Sequence, residues 1–241
     1  MSKFIIEISD VPFKRENDSD TELFKAKGFR SLVFNREGLE KLTPYEEAKK
    51  TITFADVKQG DIVKVGDTEW NVLDTDYDTG IEGKKGVLCM MKDILEERAF
   101  DDKNCNNWET STLREYLNTV YLEELEEEVG KSIKDIALKF ERHLDTDDGS
   151  KGYGVVEDSI SIISTDEYRK YRRYISPKDD YFLTLTPYSS TSGNSYYVRR
   201  VGTDGSLNDY YAYHGNRGVS PACVFLTSLD CEITGYYKEE W

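Results

Sequence analysis

The chain has 241 residues, 38% of them apolar and 33% charged, with a formal charge of −15. That length and apolar share fill one large domain, or one domain with an extension. The acidic excess keeps the chain soluble and excludes nucleic-acid or anionic-membrane binding, both of which need a basic face.

No run of 18 apolar residues is present, and charge interrupts Met1-Ser2-Lys3-Phe4-Ile5-Ile6-Glu7 before a signal-peptide core can form. The expectation is therefore synthesis without a signal peptide, in the cytoplasm of the producing cell, and no membrane insertion. Residues 1–50 read as a separate arm for attachment or oligomerisation, or as a flap on the main domain. Within it, residues 4–8 read as a strand, residues 14–27 as a loop or weak helix, and Leu32-Val33-Phe34 as a short strand. Thr43-Pro44-Tyr45-Glu46 opens a helix over residues 44–50, with a capping threonine, proline at the first helical position and glutamate at the third.

The main domain spans residues 51–241. Residues 60–65 and 70–74 read as two strands joined by a tight turn at Gly66-Asp67, with Trp70 in the core, and residues 86–91 read as a third strand. In the run 108–118, WETSTLREYLN, Thr112 and Glu115 can form a capping box. Leu113, Leu117, Val120 and Tyr121 fall on one helical face, and Arg114, off that stripe, is expected to pair with a carboxylate elsewhere. The glutamate run 123–128 reads as a solvated helix end. Ile133, Ile136, Ala137 and Phe140 repeat at i, i+3, i+4, i+7, which predicts a second short amphipathic helix. Asp145, Asp147 and Asp148 invite a calcium reading, but Gly149, Ser150 and Val156 stand where the EF-hand loop needs other residues, so the loop reads as an acidic turn. Residues 159–163 read as a strand, and Ser164-Thr165-Asp166-Glu167 caps a helix running to about residue 174.

The segment 181–220 departs from this composition. Of its 40 residues, 25 are Tyr, Ser, Thr, Gly or Asn, five are charged and none is lysine. Tyrosine gives large, stiff contact area, and Ser, Gly and Asn give adaptable hydrogen bonding, a mixture that suits a recognition surface. The same residue types also populate turns and half-buried strands. Residues 181–186 and 196–201 read as strands, Thr203-Asp204-Gly205 as a turn, and the following Tyr-rich arm as irregular, with Asn208, Asp209 and Gly215 as turn residues. Gly218-Val219-Ser220-Pro221-Ala222 then leads into a last apolar strand.

Four stretches carry a family resemblance: the Gly60-Asp61…Trp70-Asn71-Val72-Leu73 hairpin, Trp108-x-x-Ser111-x-Leu113-Arg114-x-x-Leu117-Asn118, the Asp204-Gly205 turn, and the closing Gly218-Val219-Ser220-Pro221-Ala222. The chain resembles the C-type-lectin-fold variable proteins of diversity-generating retroelements and the uncharacterised phage-borne relatives sharing that scaffold. Ser220 stands where that pattern has arginine, and Tyr181-Phe182-Leu183-Thr184 replaces its Trp-Leu-Arg. The resemblance and the element order imply an α+β, C-type-lectin-like fold with a small N-terminal extension. The resemblance also implies a non-enzymatic protein that recognises a protein or glycan ligand at a cell or phage surface, with virion association one outcome. The implied variable positions are Thr191, Ser192, Asn194, Ser195, Asn208, Asp209, Tyr210, Tyr211, Tyr213, His214 and Asn216. Ligand contact is expected to concentrate on Tyr196, Tyr197, Tyr210, Tyr211, Tyr213 and His214, as exposed aromatics on a weakly charged surface.

The two histidines, His143 and His214, sit in no triad or metal spacing, and no phosphate-binding glycine loop is present. No cofactor and no metal are expected. Cys89, Cys105, Cys223 and Cys231 are too widely spaced for a zinc ribbon or a redox pair, and read as buried free thiols. The alternatives to a binding protein are a cysteine-dependent modifying enzyme of the formylglycine-generating kind and a structural phage component. The ligand and the oligomeric state stay open.

Overall fold

The structure, a computed structural model, describes residues 21–24, 32–35 and 52–239, and the chain divides into two compact units, Met1–Lys50 and Thr51–Trp241. In the first unit, strands β1 (Thr21–Phe24) and β2 (Leu32–Asn35) form an antiparallel pair in which Thr21 faces Asn35 and Phe24 faces Leu32. The expected strand at Leu32–Phe34 lies within β2, whereas Thr21–Phe24, read from sequence as loop or weak helix, is a strand. The expected strand over 4–8 and helix over 44–50 lie outside the described residues.

The second unit opens with β3 (Ile52–Thr53), then the hairpin β4 (Asp61–Val65) and β5 (Thr68–Asp78), then β6 (Lys85–Met91) and β7 (Glu96–Glu97). The β4–β5 turn needs Gly66, whose φ of +61° lies in the left-handed region and whose missing Cβ leaves room for the Glu128 side chain. Helices α1 (Thr112–Leu117) and α2 (Val120–Val129) follow. Beyond them come β8 (Ala137–Leu138), β9 (Phe140–His143), β10 (Val155–Asp158), β11 (Ser161–Ile162) and helix α3 (Thr165–Tyr171). The last third is all strand: β12 (Phe182–Pro187), β13 (Tyr197–Val201), β14 (Leu207–Tyr211), β15 (Gly218–Val219), β16 (Pro221–Phe225) and β17 (Asp230–Tyr236).

Two larger sheets carry the unit, beside a separate antiparallel pair of β9 and β10. The larger runs β11-β16-β6-β5-β4-β17-β3, with β8 also pairing β16, and the smaller runs β14-β13-β12-β15-β7. Residues 86–91 of β6 and all five residues of β16 are buried, so the strands at the sheet's centre are covered on both faces and lose the alternation of a half-exposed strand. On one face Trp70, Val87, Cys89, Cys223 and Phe225 join Trp108, Leu113, Leu117 and Tyr121; on the other Leu88, Met90 and Val224 join Tyr168, Tyr171 and Phe182. Phe225 anchors the first cluster, stacked on Phe54 at 4.8 Å and edge-on to Trp70 at 5.0 Å.

The expectation of an α+β, C-type-lectin-like fold is overturned. The protein is β-rich: the second unit carries 15 strands, in curled half-barrel sheets, and 17% of its described residues are helical. One physical reason sits at residues 133–140. Their helical periodicity yields only a single 3₁₀ turn at Ile133–Asp135, because Ala137 and Leu138 pair with Phe225 and Val224 of β16 and Phe140 begins β9. Long-range ladder pairing overrides a short local pattern. The glutamate run does form α2, yet two of its side chains hold turns. Glu128 accepts from the Asp67 amide and the Thr68 hydroxyl, and Glu126 accepts from the Ile133 amide.

The motif over residues 108–118 is a structural knot. Ser111, not Thr112, caps α1 by accepting from the Arg114 amide at 3.2 Å, and the Thr112 hydroxyl instead accepts from Asp102. Arg114 meets the expected carboxylate, Asp158, at 2.6 Å, and the second oxygen of that buried carboxylate accepts from the Trp108 indole at 2.7 Å. Asn118 accepts from the amides of Ser159 and Ile160 and donates to the Ile160 carbonyl. Val120, expected on the buried stripe, is 49% exposed.

Candidate functional site

Strands β13 and β14 lie side by side at one edge of the smaller sheet, in unbroken register from Tyr197↔Tyr211 to Val201↔Leu207. This corrects the expectation of an irregular Tyr-rich arm turning at Asn208 and Asp209. Both residues sit in the ladder, opposite Arg200 and Arg199, and the chain turns only after Tyr211, through Ala212 and Tyr213. Period-two geometry then sends Tyr210 and Tyr211 to opposite faces.

On the Tyr211 face the rings gather. Tyr196 stacks on Tyr211 at 5.6 Å with planes 10° apart, and Tyr197 touches both, at 4.6 Å from Tyr196 and 4.7 Å from Tyr211. Tyr213 and His214 extend the patch, at 5.7 and 5.5 Å from Tyr211 and 4.2 Å from each other. Tyr211 is 38% and Tyr213 49% exposed. The Tyr197 phenol donates to the Tyr211 phenol at 3.1 Å, and that bond, ahead of desolvation, pushes the Tyr197 phenol up to about 12. Five of the expected contact residues therefore form one aromatic patch, exposed at Tyr211 and Tyr213 and half-buried at Tyr196, Tyr197 and His214.

The sixth, Tyr210, faces away, towards Arg200 and Arg217, and its hydroxyl reaches His214 Nδ1 and Asn216 Oδ1 at 3.4 Å each. Thr191, Ser192, Asn194 and Ser195 occupy the turn leading into Tyr196, the first two exposed and the others half-buried. Asn208 and Asp209 lie towards the Gly205 end of β14, where Asn208 donates to Ser206 and Asp209 lies 3.8 Å from Arg199.

Sequence reasoning missed the segment beneath this surface. Asn106, fully buried, donates to the carbonyls of Ser189 and Tyr197 at 2.8 Å each, accepts from the Tyr153 hydroxyl at 2.7 Å, and uses its amide on Ser195. The Asp101 amide bonds the Ala212 carbonyl, and Asn104, at φ +59°, accepts from the Tyr213 amide. One short loop thus fixes both arms of the patch. Its only sequence signal is the Asn- and Asp-rich composition of residues 101–107, which reads as an ordinary turn.

Two concavities lie elsewhere among the described residues. One lies beside Arg114 and Asn118 and another around Arg142 and Glu167, groups already bound into structural networks. Cys89 stands directly opposite Cys223 in the β6–β16 ladder, both fully buried as free thiols, and burial pushes both well above the ordinary thiol range. Such thiols are poor nucleophiles. Cys105 and Cys231 are half-buried and also free. In the 145–154 loop, Asp147 is engaged by Arg169 and Arg199, and among the described residues no group of three His, Cys, Asp or Glu is placed to hold a metal.

The fold and this surface define a β-rich domain with an exposed aromatic patch at a sheet edge. The chain belongs to the family described as a domain of unknown function (DUF6273), whose model matches residues 85–226, from the start of β6 to just past β16. Comparison with curated proteins and with solved structures gives no match.

Proposed function

We propose that the protein is a non-enzymatic binder that recognises a glycan or protein partner through Tyr196, Tyr197, Tyr211, Tyr213 and His214. The observation that carries this reading is the contact between those five rings, with Tyr211 and Tyr213 left exposed on a scaffold that fixes their backbone from below. Tyrosines immobilised before binding lose little entropy on contact and make effective hot spots. The buried thiols of Cys89 and Cys223 weigh against cysteine chemistry, and the concavities beside Arg114 and Arg142 hold arginines already paired with carboxylates. Diversification of Thr191, Ser192, Asn194, Ser195 and the β14 arm by a retroelement is part of the same proposal; a near-identical template repeat beside a reverse-transcriptase gene would support it.

The test is a glycan array probed with the intact chain and with a Tyr211→Ala/Tyr213→Ala/His214→Ala variant. Loss of the array signal with a melting temperature within a few degrees of wild type supports the reading. Undiminished binding by the variant overturns it.

A further inference from the structure

The other face of the β13–β14 pair carries a second cluster. The guanidinium carbons of Arg200 and Arg217 each lie 4.1 Å from the Tyr210 ring centroid, and both also approach the Tyr181 ring, at 4.3 and 5.4 Å. Two like charges are thereby drawn to the same two rings. Cation–π contact with the rings offsets part of their mutual repulsion.

What the cluster lacks, among the described residues, is a carboxylate within ion-pair distance, although Asp209 acts on Arg200 from farther off. In a chain of 47 acidic and 32 basic residues, Arg98, Arg114, Arg142, Arg169 and Arg199 each have a carboxylate within 4.0 Å. Among the described residues, Arg200 and Arg217 have none. Arg200 Nε and Nη1 and Arg217 Nε are buried without a hydrogen-bond partner, while Arg217 Nη1 is used on the Asn216 carbonyl. Burial and the neighbouring Arg217 both lower the Arg200 pKa, and they outweigh the opposing pull of Tyr181, Tyr210 and Asp209.

We propose that Arg200 and Arg217 form an anion subsite for a sugar bearing a single carboxylate or sulfate, with Tyr181 and Tyr210 as its aromatic walls. This deepens the reading above and rests on it, since the Tyr210 hydroxyl reaches His214 and so joins the subsite to the aromatic patch. Guanidinium donors match the geometry of carboxylate and sulfate oxygens, and aromatic rings pack against the apolar C–H face of a sugar. The charge of −15 repels polyanions and acidic protein surfaces as a whole, which leaves a small, singly charged sugar as the ligand the local pair can hold.

The full-length protein is titrated with glucuronate, galactose 6-sulfate, glucose and galactose at low and high salt. Expected is binding of at least one acidic sugar about tenfold or more tighter than its neutral parent, weakened by salt, abolished in Arg217→Gln and partly kept in Arg217→Lys. The carboxylate and sulfate arms separate the two oxyanions. Equal affinity for acidic and neutral sugars, or an acidic preference untouched by Arg217→Gln, overturns the subsite. Preferential binding of an acidic peptide in place of the acidic sugars also overturns it. If array ligands are lost in the Tyr211→Ala/Tyr213→Ala/His214→Ala variant but are indifferent to Arg217→Gln, the aromatic patch stands and the anion subsite falls. Should Arg217→Gln fail to fold, the salt dependence and the acidic-over-neutral ratio of the wild type decide.

Discussion

A single buried amide governs how well the aromatic patch is held. Asn106 Nδ2 serves the carbonyls of Ser189 and Tyr197 and Oδ1 takes the Tyr153 hydroxyl, so truncation leaves the buried Ser189 carbonyl and the half-buried Tyr153 hydroxyl without this partner and the Tyr197 carbonyl with one donor fewer. Each unsatisfied buried group carries a desolvation penalty, and the expected cost of Asn106→Ala is about 1–3 kcal/mol in chemical denaturation. Its amide to Ser195 is unchanged by the substitution, so the loop should loosen without detaching. Faster amide exchange over residues 189–197, with the β6–β16 ladder unaffected, is the accompanying signature. A stability change within about 0.5 kcal/mol, the range of ordinary surface substitutions, would mean that the loop stands without Asn106.

At the scale of elements, α3 is tied to the sheet through one carboxylate. Glu167 closes the capping box with Ser164, accepts two hydrogen bonds from Arg142 of β9 at 2.7 and 2.6 Å, and accepts from Tyr77 of β5 at 2.8 Å. Burial alone would raise its pKa, but the Arg142 charge and these hydrogen bonds prevail and hold it at about 2. Because the folded value lies below the unfolded value of about 4.3, the contribution is fully present above that pH and is lost as pH falls towards 2. Glu167→Gln should cost about 3–5 kcal/mol at pH 7 by leaving the buried Arg142 uncompensated, and the gap to wild type should narrow below pH 4. A gap that does not change with pH would show that the charge of Glu167 is irrelevant. This capping box was legible because its four residues are contiguous, and so was the β4–β5 hairpin, whose Gly66-Asp67 turn separates two apolar runs. Arg114 was legible as a charge needing a partner, though Asp158, 44 positions away, was not. The β-rich class was hidden for the same reason: residues 133–140 take their conformation from β16, which no local period reports. Asn106 was invisible because a lone asparagine carries no pattern until the chain folds around it.

At the scale of the molecule, the family match and the folding unit have different limits. The match covers residues 85–226, yet β6 within it lies between β5 and β16, and β5 lies outside it. Trp70, fully buried against Phe225, is outside it too, as are Phe54, Val63 and Val72 of the same core. The larger sheet is completed only when β17 returns to pair with β3 and β4. A fragment of residues 85–226 would therefore expose one long edge of β6 and one face of its core, and is expected to be insoluble or to melt without cooperativity. Residues 51–241 retain every described strand pair of both sheets and every described core residue, from Phe54 to Leu229. That fragment is expected to unfold in one cooperative transition within a few degrees of the full chain, and to keep whatever ligand the aromatic patch binds. A cooperative transition for 85–226, or its loss from 51–241, would move the limits of the folding unit and show that the strands flanking the match are additions to a core that stands without them.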